Sequence, residues 1–303
     1  MGRRNFFLSL KRLTATARLV KFEHTVFALP FVLSGAWIAA KGVPETVDLI
    51  LLVLAAVFAR TAAMGWNRLV DLPFDSANPR TASRELITGA LSVSFVKGLV
   101  MLCSLGFLMT SFLLSPLCGW LSFPVLIVLL GYSYLKRFTF LCHAGLGVAL
   151  GLAPAGAWLA VMKGFAPGWD IPLLLGCGCA LWTVGFDVLY AIQDVDADRA
   201  ANLQSVPSRW GVDKARLFAG ILHGFSLLMF FWLGFRGEFS QPYFLGVGGC
   251  LILILLQHVL LLGGRLSRIP VLFFRVNSWF GVVFFAGVVA DIHFRSSFDI
   301  LGP

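Results

Sequence analysis

At 303 residues, 58% hydrophobic and only 13% charged, with a mean hydropathy of +0.87, the chain lies far from a water-soluble domain, where charged residues make up roughly a quarter. Its net charge of +9 does not mark a nucleic-acid binder, because the 24 Lys and Arg residues form no continuous patch and follow the loops between apolar runs. The six cysteines sit in or beside those runs without metal-type CxxC spacing and read as small core residues.

Residues 1–23 are basic and amphipathic, lack a signal-peptide cleavage pattern, and are expected to form a cytoplasmic arm along the lipid headgroups. Residues 24–295 read as one all-α domain, a multi-pass membrane bundle of nine transmembrane helices. The spans fall at about 24–41, 47–67, 93–114, 117–135, 143–162, 171–193, 215–235, 243–263 and 271–293, each near the roughly 20 residues that cross a bilayer. No polar linker divides them. The basic residues predict the orientation: apart from Lys41, Lys163, Arg236, Arg295 and the intramembrane Arg60, all lie on one side, with the N-terminus. That side is expected to be the cytoplasmic face of the cell (inner) membrane. Its loops at about 72–92 and 199–213 are long and polar, as functional loops are.

Both of those loops follow an acidic cluster, NRLVDLPFD after span 2 and YAIQDVDAD after span 6. Residues four apart share a helical face, so Asn67, Asp71 and Asp75 form one row and Tyr190, Asp194 and Asp198 a second. A solvated helix end explains one D-x3-D. Two of them, on the same side and each followed by arginines (Arg80 and Arg84; Arg199 and Arg209), call for a bound cation, since carboxylates are costly near a bilayer. Mg2+ suits oxygen ligands and leaves positions for substrate phosphate, while guanidinium and ammonium groups take the remaining charge. The rows therefore read as two half-sites of a receptor for a Mg2+-bridged diphosphate.

Arg60 lies seven residues before Asn67, on the same face and about 10 Å deeper at 1.5 Å per residue. Asp187, seven residues before Asp194, is at matching depth. The two either pair with each other, or Arg60 meets a substrate carboxylate. Lys136 and Arg137, in YSYLKRFT after span 4, are interfacial anchors or diphosphate ligands. Lys21, Glu23 and His24 form an interface trio or line the site.

At these residues the chain resembles the UbiA superfamily of intramembrane prenyltransferases, with N-x3-D-x3-D after helix 2 and a second Asp-rich motif after helix 6. The resemblance extends over almost the whole chain, including FDVLYAIQD, YSYLKRFT and the placement of Arg60. It implies transfer of a polyprenyl group from its diphosphate to a ring carbon of a small hydroxylated aromatic acid. Asp71, Asp75, Asp194 and Asp198 would be the catalytic residues and Mg2+ ligands. Arg60, Asn67, Arg80, Arg84, Lys136, Arg137, Asp187, Tyr190 and Arg209 would bind substrates. The 4-hydroxybenzoate type of respiratory quinone biosynthesis is the nearest in appearance. KFEHTVFALPF and NPRTASRE also look like the branch that prenylates 1,4-dihydroxy-6-naphthoate for menaquinone. A cation-coupled secondary transporter is the rival from another class, but it would place its carboxylates near the midplane. The expected partners are thus a polyprenyl diphosphate, an aromatic acid and the bilayer, with no nucleic acid.

Overall fold

A computed structural model describes residues 12–21, 25–165, 167–261 and 269–300. The described chain is all-helical. Its long helices are α1 (Thr25–Ala40), α2 (Thr46–Val70), α3 (Val93–Leu114), α4 (Pro116–Gly131), α5 (Cys142–Met162), α6 (Asp170–Ala191), α7 (Val212–Arg236), α8 (Gln241–Leu260) and α9 (Ile269–Ile300). Eight of the nine are long and apolar enough to cross a membrane, α4 only together with the 3-10 turn Tyr132–Arg137 that continues it. The exception, α1, has 16 residues, and at 1.5 Å per residue covers about 24 Å of a roughly 30 Å hydrocarbon core. Side chains such as Met101, Leu102, Met109, Leu228 and Trp232 point outward, which in water would be a liability and in lipid is the solvated state.

Sequential helices pack as neighbours, α5 also packs on α1, and α9 returns to α1 and closes the bundle. Two lipid-bathed helices gain little from apolar contact alone, so close backbone approach must hold them. Gly151 and Gly176 provide it between α5 and α6: a Cβ added at Gly151 would lie 2.5 Å from the Gly176 carbonyl oxygen. Gly35 does the same on α1, where a Cβ would fall 2.2 Å from the carbonyl oxygen of Pro154. Away from these seams the interior is filled by aromatic rings. Trp182 stacks on Phe280 at 4.6 Å and Phe230 meets Phe284 at 4.5 Å. The Tyr243 hydroxyl donates to the Phe230 carbonyl at 2.7 Å, so the polar tip of this buried ring is satisfied.

Residues 12–19 of the expected arm are helical, and its end is part of the bundle. Leu19 and Val20 are buried against Leu91, Val96 and Val100. Arg68 Nε donates to the Leu19 carbonyl at 3.4 Å, and Arg60 Nη2 to the Lys21 carbonyl at 3.2 Å. Glu23 and His24, and the basic loop residues Arg265 and Arg268, lie outside the described residues.

Candidate active site

The two acidic rows run past the helices that the sequence assigns them to. Asp71 is the C-cap of α2, in right-handed geometry (φ −87°, ψ 0°), and its N–H bonds the Asn67 carbonyl at 2.9 Å. A new short helix, Leu72–Ala77, starts at once with Pro73 in its first turn, where the missing N–H is harmless, and carries Asp75. After α6, a 3-10 turn (Ile192–Asp194) presents Asp194 and a second short helix (Val195–Ala200) presents Asp198. Because the joints stay near helical dihedrals, the four-residue spacing still keeps each row together. Lys136 and Arg137 come from the 3-10 turn Tyr132–Arg137 that follows α4. The Gln204 N–H binds the Lys136 carbonyl at 2.7 Å, fastening the loop after the second row to that turn.

Each of the four aspartates has its own cation. Arg80 grips Asp194 with two parallel bonds, Nε to Oδ1 at 2.8 Å and Nη2 to Oδ2 at 2.7 Å, so a residue after the first row binds the second. The same guanidinium donates to the Tyr190 hydroxyl at 3.3 Å. Lys136 Nζ is 2.6 Å from Asp198 Oδ1, Arg84 bonds Asp75, and Arg137 Nη2 stands 3.8 Å from Asp71 Oδ1 while donating to the Val70 carbonyl at 2.7 Å. Asn67 Nδ2 donates to Asp71 Oδ2 at 2.8 Å. The hydrogen bonds and ion pair to Asp194 hold the Arg80 guanidinium above its ordinary value despite burial.

Two expected partnerships take another form. Asp187 is bound by His143 Nδ1 at 2.7 Å and, among the described residues, does not pair with Arg60. Arg209 is exposed on the helix Val206–Trp210 and lies over the Phe140 ring at 4.6 Å, with no ion pair to either acidic row among the described residues. Three contributors escape a reading of the sequence by periodicity. Asn78 Nδ2 donates to Asp194 Oδ1 at 3.2 Å, Ser205 Oγ donates to Asp198 Oδ2 at 3.0 Å, and His143 holds Asp187. Asn78 stands two residues before Arg80, which is the only signal that marks it.

Among the described residues no three acidic, His or Cys side chains are close enough to share an ion. The donor set still suits a hard cation, since every charged donor is a carboxylate oxygen. Asp71 is the least neutralised of the four. Burial first, and the neighbouring Asp75 charge second, push its carboxyl from 3.8 up to about 6, and Lys136, Arg137 and Arg84 offset them only in part.

The family profile described as the UbiA prenyltransferase family matches residues 28–279, most of the chain. The chain belongs to that family. This UbiA-family chain is 31% identical over 294 residues to the 4-hydroxybenzoate octaprenyltransferase of Methylobacillus flagellatus, covering 95% of itself and 96% of the relative. It superposes on a UbiA homologue from Aeropyrum pernix with a TM-score of 0.81 at 30% identity, over 89% of this chain and 98% of the other. A UbiA homologue from Archaeoglobus fulgidus, solved with GPP and Mg2+, shares the fold at a TM-score of 0.68 and 18% identity, over 92% and 99% of the two chains.

Proposed function

We propose that the protein is a Mg2+-dependent polyprenyltransferase that alkylates a ring carbon of 4-hydroxybenzoate, with its motif end on the cytoplasmic face of the cell (inner) membrane. The observation that carries this reading is the convergence of both acidic rows with Arg80, Arg84, Lys136 and Arg137 at one end of an apolar bundle. The acceptor is taken from the name of the Methylobacillus flagellatus relative. Asp71, Asp75, Asp194 and Asp198 would hold the metal, with Asn67 orienting Asp71. Bound Mg2+ supplies positive charge that a diphosphate leaving group needs.

The chain's own groups do the rest. The four cations that now hold carboxylates are positioned to take phosphate oxygens, with Arg80 and Arg84 offering planar forks and Lys136 a point charge. The apolar wall keeps water from an allylic cation and lets the isoprenoid tail stay in lipid. In 4-hydroxybenzoate the hydroxyl activates the carbons ortho to it, because the para position is occupied. Arg60, seven residues before Asn67 on α2, is the cation assigned to the acceptor carboxylate.

The test is prenyl transfer by the purified protein in liposomes with Mg2+ and geranyl diphosphate, offering 4-hydroxybenzoate and 1,4-dihydroxy-6-naphthoate separately. Product from 4-hydroxybenzoate and its loss with EDTA are expected. Product from the naphthoate alone would move the protein to the menaquinone branch, and undiminished activity in EDTA would remove the metal from the reading.

A further inference from the structure

Of the aspartates at this end of the bundle, five concern the site, and one of those is held differently from the rest. Asp71, Asp75, Asp194 and Asp198 each face an Arg or Lys. Asp187 faces only an imidazole, with His143 Nδ1 at 2.7 Å from its Oδ2. The other ring nitrogen decides what that imidazole is. The Val206 N–H points at His143 Nε2 at 3.4 Å inside a buried contact, which makes Nε2 an acceptor. The ring proton on Nδ1 is then directed at Asp187.

The consequence is a carboxylate oriented through one of its two oxygens. Its Oδ1 accepts no hydrogen bond among the described residues, and 26% of its side chain is exposed, whereas His143 is 4% exposed and fixed. Asp187 lies seven residues before Asp194 on α6, about 10 Å toward the bundle interior, and three before Tyr190 on the same face. Tyr190 on that face accepts from the same Arg80 guanidinium that grips Asp194.

We propose that Asp187 is the proton acceptor of the transfer reaction and that His143 is its positioning residue; the proposal rests on the prenyl-transfer reading above. The allylic C1–O bond breaks and its electron pair leaves on the diphosphate. A π pair of the acceptor forms the new C–C bond ortho to the hydroxyl, leaving that carbon sp3 in a cationic ring. This carbon gives its proton to Asp187 Oδ1, and the C–H pair restores the aromatic ring. The single Nδ1–H donor fixes the direction of the carboxylate and leaves Oδ1 open to the proton.

The experiment uses the full chain in liposomes with Mg2+, geranyl diphosphate and 4-hydroxybenzoate bearing deuterium or hydrogen ortho to the hydroxyl. The wild type is expected to show an isotope effect near unity, because ionisation limits the rate. Asp187→Asn should lower kcat by about 10²-fold or more with little change in either KM, and an isotope effect should emerge as proton loss becomes limiting. His143→Ala should do the same to a smaller degree, and His143→Asn, whose amide N–H can replace Nδ1–H, should restore part of the rate. Wild-type turnover in Asp187→Asn, or slow turnover with no isotope effect, would overturn the assignment. If Asp187→Asn makes no detectable product, scrambling of bridging 18O in geranyl diphosphate separates the steps: scrambling at the wild-type rate supports the proposal and its loss refutes it. Absence of product from the wild type would remove the prenyl-transfer reading itself, and this proposal with it.

Discussion

Removing Arg80 strips Asp194 of a two-point grip and leaves Asn78 Nδ2, at 3.2 Å, as its remaining described side-chain donor. Asp194 is 7% exposed, so the stranded charge has little access to solvent. A fully buried pair broken from one side costs about 3–5 kcal/mol. Because 33% of the Arg80 side chain is exposed, we take a discounted figure of about 2–3 kcal/mol. At roughly 2–4 °C per kcal/mol for a chain of this size, Arg80→Ala should lower Tm by about 4–12 °C. Asp194→Asn should also destabilise, by leaving the guanidinium without its anion. The double variant should recover about 2 kcal/mol relative to the sum of the two, a factor of about 30 in the folding equilibrium. The assay is thermal unfolding in detergent without divalent cation, followed by tryptophan fluorescence for all four proteins. Losses that add to within about 0.5 kcal/mol would show that the grip contributes nothing and that the two rows are not joined through it.

Asp71→Asn should reduce turnover by at least about 10²-fold, read as initial rate of prenyl transfer, without lowering the amount of folded protein. The carboxyl at about 6 is raised above its free value of 3.8, so the folded state binds this proton more tightly than the unfolded one. The metal-free protein should therefore lose stability as pH rises from about 4 to 6 and stay at the lower level above it, a component that Asp71→Asn removes. Mg2+ affinity should follow the opposite trend, falling up to about tenfold per unit below pH 6, as calorimetric titration would show; an affinity that is flat from pH 5 to 7 would contradict the placement of Asp71 at the metal. Gly151→Val should push α5 away from α6 and cost about 1–3 kcal/mol, visible as a lower Tm and a broadened size-exclusion peak, whereas Gly156→Ala, where a Cβ meets nothing within 4 Å, should be silent.

The parts of this site that repeat along the chain could be read in advance, and the parts set by rotation about a helix axis could not. Asn67, Asp71 and Asp75 announce themselves by spacing, and the rows persist even though Asp75 and Asp198 sit in separate short helices, because the intervening residues keep right-handed helical geometry. Arg60 and Asp187 match in depth, but depth says nothing about the azimuth of α2 relative to α6, and Asp187 turns instead to the start of α5. Arg209 follows the second row in sequence, but the ring it lies over, Phe140, comes from a different part of the chain and could not be read from spacing. His143, Ser205 and Asn78 are single polar residues from a helix start and two loops, and a contact made once leaves no period to detect.

The pairing of every motif carboxylate with a resident cation also bears on how the site works over repeated turnovers. A receptor for a highly charged leaving group, standing empty in a low-dielectric setting, would hold unbalanced charge between visits. Here each aspartate of the two rows is held by a guanidinium or ammonium group. On the proposed function, a metal diphosphate would exchange partners among groups that are already partly buried and paired. The free energy of gathering so many charges at the membrane boundary is met when the protein folds, so no single catalytic cycle has to supply it.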